Sequence, residues 1–313
     1  MRCTRGLRRL ASLLVLVPAW FAPCPASDAE PLFRFGLVAD IQYADKDTAG
    51  SRHYRASLAS LRVCARRWAG LPLEFAIQLG DVIDGRDTLD HSREDLEAVL
   101  GILDELPFPV RHVLGNHCFS LPRSELLPRL GLASAWYSFE RAGWRFVVLD
   151  ALDESVCAWP EGSAHRTRAR AWLDAHPRAE HPSAYDWNGG LGTEQLAWLR
   201  KELADAARSG AKVVVLSHLP VLAAASTPHH LLWNHAEVLA LLEASPAVVA
   251  YLAGHDHSGG YALHAGIHFV TLEGMVESPA GEGAYAVVTA YEDRLEIEGF
   301  GGATSRSLPI LER

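Results

Sequence analysis

Five short segments of this chain carry side chains able to bind metal ions, and each follows an apolar run. They are Asp40-Ile41-Gln42, Gly80-Asp81-Val82-Ile83-Asp84-Gly85, Gly115-Asn116-His117, Ser217-His218-Leu219-Pro220 and Gly254-His255-Asp256-His257. Carboxylate, amide oxygen and imidazole together suit borderline-hard divalent cations such as Mn²⁺, Zn²⁺ or Fe²⁺. A carboxylate on a strand-end turn, as at Asp81, can give one oxygen to each of two ions. Taken singly, each segment has an ordinary explanation. Asp81 and Asp84 could form a turn and cap a helix, Asn116 could hold a left-handed turn after Gly115, and the histidines could be core or surface residues. Delivery of all five to one end of consecutive strands favours a common metal site.

The elements that must position them follow from the hydrophobic pattern. Phe33 to Ala39 reads as a strand ending at Asp40, and Leu73 to Leu79 as a buried strand ending at Asp81. Val110 to Leu114 delivers Asn116, Lys212 to Leu216 delivers His218, and Val248 to Ala253 delivers His255. Helices are expected over Tyr54 to Trp68, Arg93 to Leu106, Thr193 to Ser209 and His235 to Glu243, with Thr193 as a cap and Gly210 as a stop. Ser134 to Leu149 reads as a hairpin turning at Ala142-Gly143. His268 to Leu272, Tyr285 to Tyr291 and Arg294 to Phe300 read as strands. Residues 153–192 are irregular and rich in Pro, His and Trp, as an insertion or lid would be. The early β/α alternation and the late β-rich part together imply an α/β (α+β) fold of two packed mixed sheets with helices outside.

The series Asp40-x-Gln42, Gly80-Asp81-x-x-Asp84, Gly115-Asn116-His117, His218 and Gly254-His255-x-His257 resembles the calcineurin-like metallophosphoesterase family, in the family's order and over nearly the whole chain after residue 30. The resemblance implies a four-layer αββα sandwich with two metal ions about 3.5–4 Å apart. It places Asp40, Gln42, Asp81 and His257 on the first ion and Asp81, Asn116, His218 and His255 on the second, Asp81 bridging. It also makes His117 an acid or charge stabiliser, oriented by Asp84. Two cations so placed lower the pKa of a water and neutralise phosphate oxygens in an in-line displacement.

Gln42 stands where the family usually has His, and its harder amide oxygen favours Mn²⁺, with Zn²⁺, Fe²⁺ or Mg²⁺ as alternatives. Asp84 is followed by Gly85 rather than the Arg of protein phosphatases. Ala39 to Asp45, Arg52-His53-Tyr54-Arg55, Gln78 to Asp81, Asn188-Gly189-Gly190, Trp233-Asn234, Gly254 to Gly260 and Leu272-Glu273-Gly274 are most similar to the manganese-dependent ADP-ribose/CDP-alcohol diphosphatases. That branch implies cleavage of the pyrophosphate bond of nucleoside diphosphate conjugates by a metal-activated hydroxide. Cys118 departs from the branch, which generally has an acidic residue there. Tyr43, Trp187, Trp233 and Tyr261 are candidate shelves for a base, and the backbone of Asn188, Gly189 and Gly190 is a candidate phosphate contact. Cyclic nucleotides or other small phosphoesters are the alternative substrates. A non-catalytic interaction module is a remote alternative, because every metal position holds a competent residue.

Composition bounds the rest. Hydrophobic residues make up 49% of 313, enough for a sizeable core. The net charge of −9 becomes −13 once the four arginines of residues 1–26, which include no acid, are set aside. So acidic a surface argues against a nucleic acid polymer as partner and for a small phosphorylated nucleotide held through metal. Arg2, Arg5, Arg8 and Arg9 precede an apolar stretch from Leu10 to Phe21, too short to span a membrane comfortably, and small residues follow. Residues 1–26 therefore read as an export signal, with an organellar transit peptide or a cytoplasmic protein as alternatives and no stable membrane anchor. The domain is expected over 32–305. Cys64, Cys118 and Cys157 are too few for a disulfide framework but allow one bridge. The sequence sets no oligomeric state.

Overall fold

The computed structural model describes residues 30–279 and 281–313, of which Pro31–Arg313 form a compact unit. The expected export signal lies outside the described residues. The chain runs β1 (Phe33–Val38), α1 (Tyr54–Ala69), β2 (Phe75–Gln78), α2 (Leu89–Leu103), β3 (Val110–His112) and α3 (Arg123–Arg129). It continues through β4 (Tyr137–Arg141), β5 (Trp144–Val148), β6 (Glu154–Ser155), α4 (Ala164–Ala175), β7 (Gly189–Gly190), α5 (Thr193–Ser209) and β8 (Lys212–Leu216). Last come α6 (His235–Glu243), β9 (Val248–Ala253), β10 (Gly260–His264), β11 (Ile267–Thr271), β12 (Ala284–Ala290), β13 (Arg294–Gly301) and β14 (Arg306–Pro309).

Two six-stranded sheets result, ordered β14-β13-β12-β1-β2-β3 and β10-β11-β9-β8-β5-β4. β1, β2 and β3 are mutually parallel in the first, and β5, β8, β9 and β11 in the second. The alternation of the strands explains the stacking. Phe33, Phe35 and Leu37 of β1 and Phe75 and Ile77 of β2 meet Trp144, Phe146 and Val148 of β5 in the core between the sheets. The other face of the first sheet is covered by the apolar stripe Leu61, Cys64, Ala65 and Trp68 of α1, with Leu96, Val99, Leu100 and Leu103 of α2. Leu196, Leu199, Leu203 and Ala206 of α5, with Val238 and Leu242 of α6, cover the second. The layers are therefore helices, sheet, sheet, helices.

Several local expectations shift. α2 begins at Leu89, a turn before the expected Arg93, because the Thr88 hydroxyl accepts the His91 N–H and caps it. α5 starts at Thr193, but Gly192 is its cap residue and no side-chain cap bond forms. Gly210, at φ 70°, ends it as read. Residues 153–192 hold α4 and the β6–β7 pair. β10 is an edge strand returning through Ala265-Gly266, and β14 pairs with β13, so the first sheet continues past residue 305. Cys64, Cys118 and Cys157 are all free thiols. No helix among the described residues is long and apolar enough to cross a membrane.

The two sheets are joined by aromatic packing. The Phe146 ring lies 4.8 Å from Phe139, 5.3 Å from Phe75 and 5.5 Å from Phe35, centroid to centroid. Phe146→Ala should lower unfolding stability by about 3–5 kcal/mol, as read from denaturant melts. A loss under about 1 kcal/mol would show that the sheets are held by other contacts.

Candidate metal centre

The parallel strands aim five loops at one edge. β1 ends two residues before Asp40, β2 three before Asp81 and β3 four before Asn116; β8 and β9 each end two before His218 and His255. The loops after β1 and β2 continue side by side. Asp40 N–H donates to Gly80 O at 3.2 Å and Gln42 N–H to Asp81 O at 2.8 Å. This pairing forces unusual backbone. Of the six non-glycine residues with positive φ among the described residues, Ala142 and Ala265 sit in hairpin turns. The other four are Asp40, Gln42, Asp81 and His255. Positive φ at such residues is costly and concentrates at functional sites.

Asp81 is fully buried and uses both oxygens. Oδ1 accepts the His117 backbone N–H at 2.8 Å. Oδ2 lies 3.2 Å from His218 Nε2 and accepts Gln42 Nε2–H at 3.2 Å. Gly115 is required beside it, since a Cβ there would sit 2.1 Å from Asp81 Oδ1. Asn116 Oδ1 lies 3.2 Å from His218 Nε2, and Asp40 Oδ1 is 3.3 Å from His257 Nε2. One ligand atom from each of Asp81, His218 and His255 lie within 4.8 Å of one another. Gln42 Oε1 is buried with no partner. An orphaned amide oxygen, two buried carboxylates and three imidazoles form a donor set that fits divalent cations. Asp40, Gln42, Asp81, Asn116, His218, His255 and His257 are thus brought together as residues that could hold two ions.

Each imidazole is held by its other nitrogen, a role the sequence did not reveal. His218 Nδ1–H donates to Leu79 O at 2.8 Å, leaving Nε2 toward Asp81. His257 Nδ1 pairs with Glu277 Oε1 at 2.8 Å, leaving Nε2 toward Asp40. His255 Nε2–H donates to Asn188 Oδ1 at 2.9 Å, and the Asn188 amide is fixed by donating to Ser183 O and His229 O at 2.9 and 2.8 Å. Nδ1 is therefore the free nitrogen of His255. Such outer partners set the tautomer and direction of a ligand ring.

The electrostatics follow. Burial pushes His218 down, but the charge and hydrogen bond of Asp81 and the charge of Asp40 outweigh it and hold it at about 9. Burial opposes His257 too, and Asp40 and Glu277 raise it to about 10. Burial would raise Asp81, yet His218 and His117 keep it well below the usual carboxylate range. His255 is driven well below its ordinary value by burial, then by His218 and His230, so it is neutral and ready to ligate. Asp84 Oδ1 lies 3.0 Å from His117 Nδ1. Burial lowers His117, but Asp81 and Asp84 more than offset this and raise it, so the ring is favoured as imidazolium. Asp84 also pairs with Lys46, which no motif had singled out.

The expected substrate contacts fare differently. Asn188, Gly189 and Gly190 are buried. Asn188 is committed to His255, while the two glycines form β7 against β6, so they do not present a loop to phosphate. Trp233 is 6% exposed and stacks on Trp172 at 4.7 Å, and Tyr43 is a core residue beside Ile83. Both are packing residues rather than shelves. Trp187 and Tyr261 are exposed. Arg55 pairs with Asp45 and Asp47, and Arg52 lies 3.6 Å from Glu277. The Cys118 thiol is pushed up to about 12 by burial and by Asp81, and packs in the core under α1 and α2 rather than joining the ligands.

Two six-stranded sheets with this convergence of acids, amides and histidines define a dinuclear phosphoesterase architecture. The calcineurin-like phosphoesterase model matches residues 33–259, and the chain belongs to that family. It is a hydrolase. Among its relatives are proteins named manganese-dependent ADP-ribose/CDP-alcohol diphosphatase. The one from Oryza sativa subsp. japonica is 36% identical over 88% of this chain and 93% of its own. The one from Homo sapiens is 31% identical over 90% and 94%. A crystal structure of a dimetal phosphatase from Danio rerio superposes with a TM-score of 0.85 at 34% identity, over 90% of this chain and 100% of that one.

Metal uptake must displace the protons on His218 and His257. Both are raised above the ordinary histidine value, so at pH 7 they are charged, and cation binding releases protons. Calorimetric titration with Mn²⁺ should show affinity rising from pH 7 toward pH 9, with proton release visible as a buffer-dependent enthalpy. Glu277→Gln should weaken affinity about 10–100-fold with the fold retained by circular dichroism. A pH-independent affinity, or no effect of Glu277→Gln, would contradict this arrangement.

Proposed function

We propose that this phosphoesterase cleaves the pyrophosphate bond of nucleoside diphosphate conjugates, ADP-ribose and CDP-alcohols among them, with Mn²⁺ in the centre. The observation that carries this reading is the match to relatives of that name over about nine-tenths of both chains. Gln42 supports the metal: its free Oε1 is a neutral oxygen ligand where imidazole would select softer ions. Two divalent ions held by Asp40, Gln42, Asp81, Asn116, His218, His255 and His257 would supply a water of lowered pKa and charge neutralisation.

The chain's own groups do the rest. Asp81 would be the ligand shared by both ions, fixing the two sites relative to each other. Asn188 and Glu277 keep His255 and His257 aimed. The His117 side chain is partly open, at 29% exposed, and Asp81 and Asp84 favour its imidazolium form. It is placed to hydrogen-bond the oxygen that bridges the two phosphorus atoms as that P–O bond breaks. Water adds to one phosphorus and the bridging oxygen leaves with the other. Two phosphomonoesters result: AMP and ribose 5-phosphate from ADP-ribose, CMP and a phosphoalcohol from a CDP-alcohol. Because the departing phosphomonoester is already a stable anion, the imidazolium serves mainly by its charge.

Phosphorus-31 NMR of Mn²⁺-loaded protein with ADP-ribose, CDP-choline and cyclic AMP tests the reading. The expected spectra show phosphomonoesters from the first two; cleavage of cyclic AMP alone would overturn it. His117→Ala should lower kcat by about 10²–10⁴-fold with Mn²⁺ binding unchanged. The loss of rate should be smallest above the raised pKa of His117, where the wild-type ring is already neutral.

A further inference from the structure

A cavity of about 800 Å³ opens beside the metal centre, and nothing in the reaction described so far uses it. Part of its wall follows β2 and β3, two of the strands whose ends build the centre, and part comes from the segment before α4. Leu89 stands at the end of the loop after β2, Phe119 to Ser124 follow β3, and Cys157 to Ser163 lie in the segment after β5. Phe119 and Ser120 belong to the single helical turn His117–Ser120. Gly85, next to Asp84, packs so tightly on Ser120 that a Cβ there would lie 2.4 Å from the serine Cβ. The cavity thus adjoins the His117–Asp84 pair.

Its chemistry is apolar and its walls are fixed. Trp159 Nε1–H donates to Asp153 O at 2.7 Å, and its ring is stacked at 4.0 Å on His165. The Arg123 guanidinium lies 4.4 Å from the Trp159 ring and 4.7 Å from Phe119. Its charge is already matched by Asp150 at 2.6 Å, and Leu152 O takes a further N–H. Arg123 is therefore a strut and not a free phosphate ligand. The Ser120 hydroxyl is buried with no partner. A sugar placed here would leave most of its hydroxyls unpaired, at a cost for each. A hydrocarbon group would not.

We propose that this cavity is a subsite for an apolar organic group of the substrate, an alkyl or aryl alcohol esterified to the phosphate that lies over His117. The inference deepens the diphosphatase reading and rests on it for the identity of the phosphate carrier. Substrates with compact alcohols reach only the metal centre; longer hydrocarbon alcohols also fill the space between Leu89, Phe119, Leu121 and Trp159.

The test uses ethyl phosphate and n-hexyl phosphate in calorimetric binding to the Mn²⁺-loaded full chain, with CDP-ethanol and CDP-hexanol as matched substrates. Wild type should bind the hexyl ester roughly tenfold or more tighter than the ethyl ester, from burial of four further methylenes, and kcat/KM should favour CDP-hexanol in the same direction. Leu89 is 46% exposed and starts α2, where an acidic residue is tolerated, so Leu89→Asp should fold normally while placing a carboxylate at the mouth. It should abolish the chain-length preference, and Trp159→Ala should do the same. Equal binding of the two esters by wild type, or a preference that survives both variants, overturns the subsite. If the hexyl preference holds but neither CDP-alcohol is cleaved, the subsite stands and the diphosphatase reading falls.

Discussion

The centre depends on one buried carboxylate held in a strained place. Asp81 sits at φ 54°, fully enclosed, with Gly115 against it where no side chain would fit. One oxygen is fixed by the His117 backbone N–H and the other faces His218 and Gln42. Burying such a charge is expensive unless it is paired. Without metal the pairing comes from the raised imidazoles around it, and Asp40 stands in the same relation to His257. The aromatic core between the sheets keeps these loops in register, because β1 and β2 belong to one sheet while β8 and β9 belong to the other. The site lies across the edge where both sheets end.

The geometry assigns a division of labour that a ligand roster would miss. Leu79 O, Glu277 and Asn188 each occupy the nitrogen of a histidine that points away from the centre. The main chain of Met275 and Val276 bonds to Ala39 O and Asp40 O, tying the Glu277 segment to the first ligand loop. Lys46 and His117 share Asp84. A neutral amide oxygen at Gln42 and tautomer control at three histidines fit a centre able to hold divalent ions for phosphoester hydrolysis.

Much of this was legible in the sequence, for identifiable reasons. The ligand residues follow buried parallel strands, whose continuous apolar runs stand out, and Gly80, Gly115 and Gly254 mark the turns. The two-sheet layering followed from the order of elements. What escaped depends on contacts between distant segments. Glu277 meets His257 across 20 residues and Asn188 meets His255 across 67, with no local spacing to betray either. Asn188-Gly189-Gly190 looked like a phosphate loop, since glycines permit close approach. Here the close approach is to the backbone of Ala151 and Glu154. Tyr43 and Trp233 looked like shelves for a base, and burial shows them to be packing. β10 and β14 are edge strands whose identity comes from their partners, and the start of α2 was set by Thr88 rather than by the first clear apolar stripe.

The central claim is that Asp81 holds two ions in one coupled centre. Electron paramagnetic resonance of the Mn²⁺-titrated protein, with metal content measured in parallel, tests it most directly. The account predicts two Mn²⁺ per chain with a spin-coupled signal, and for Asp81→Asn loss of that coupling with at most one weakly held ion. A coupled signal from two ions that persists in Asp81→Asn would contradict it.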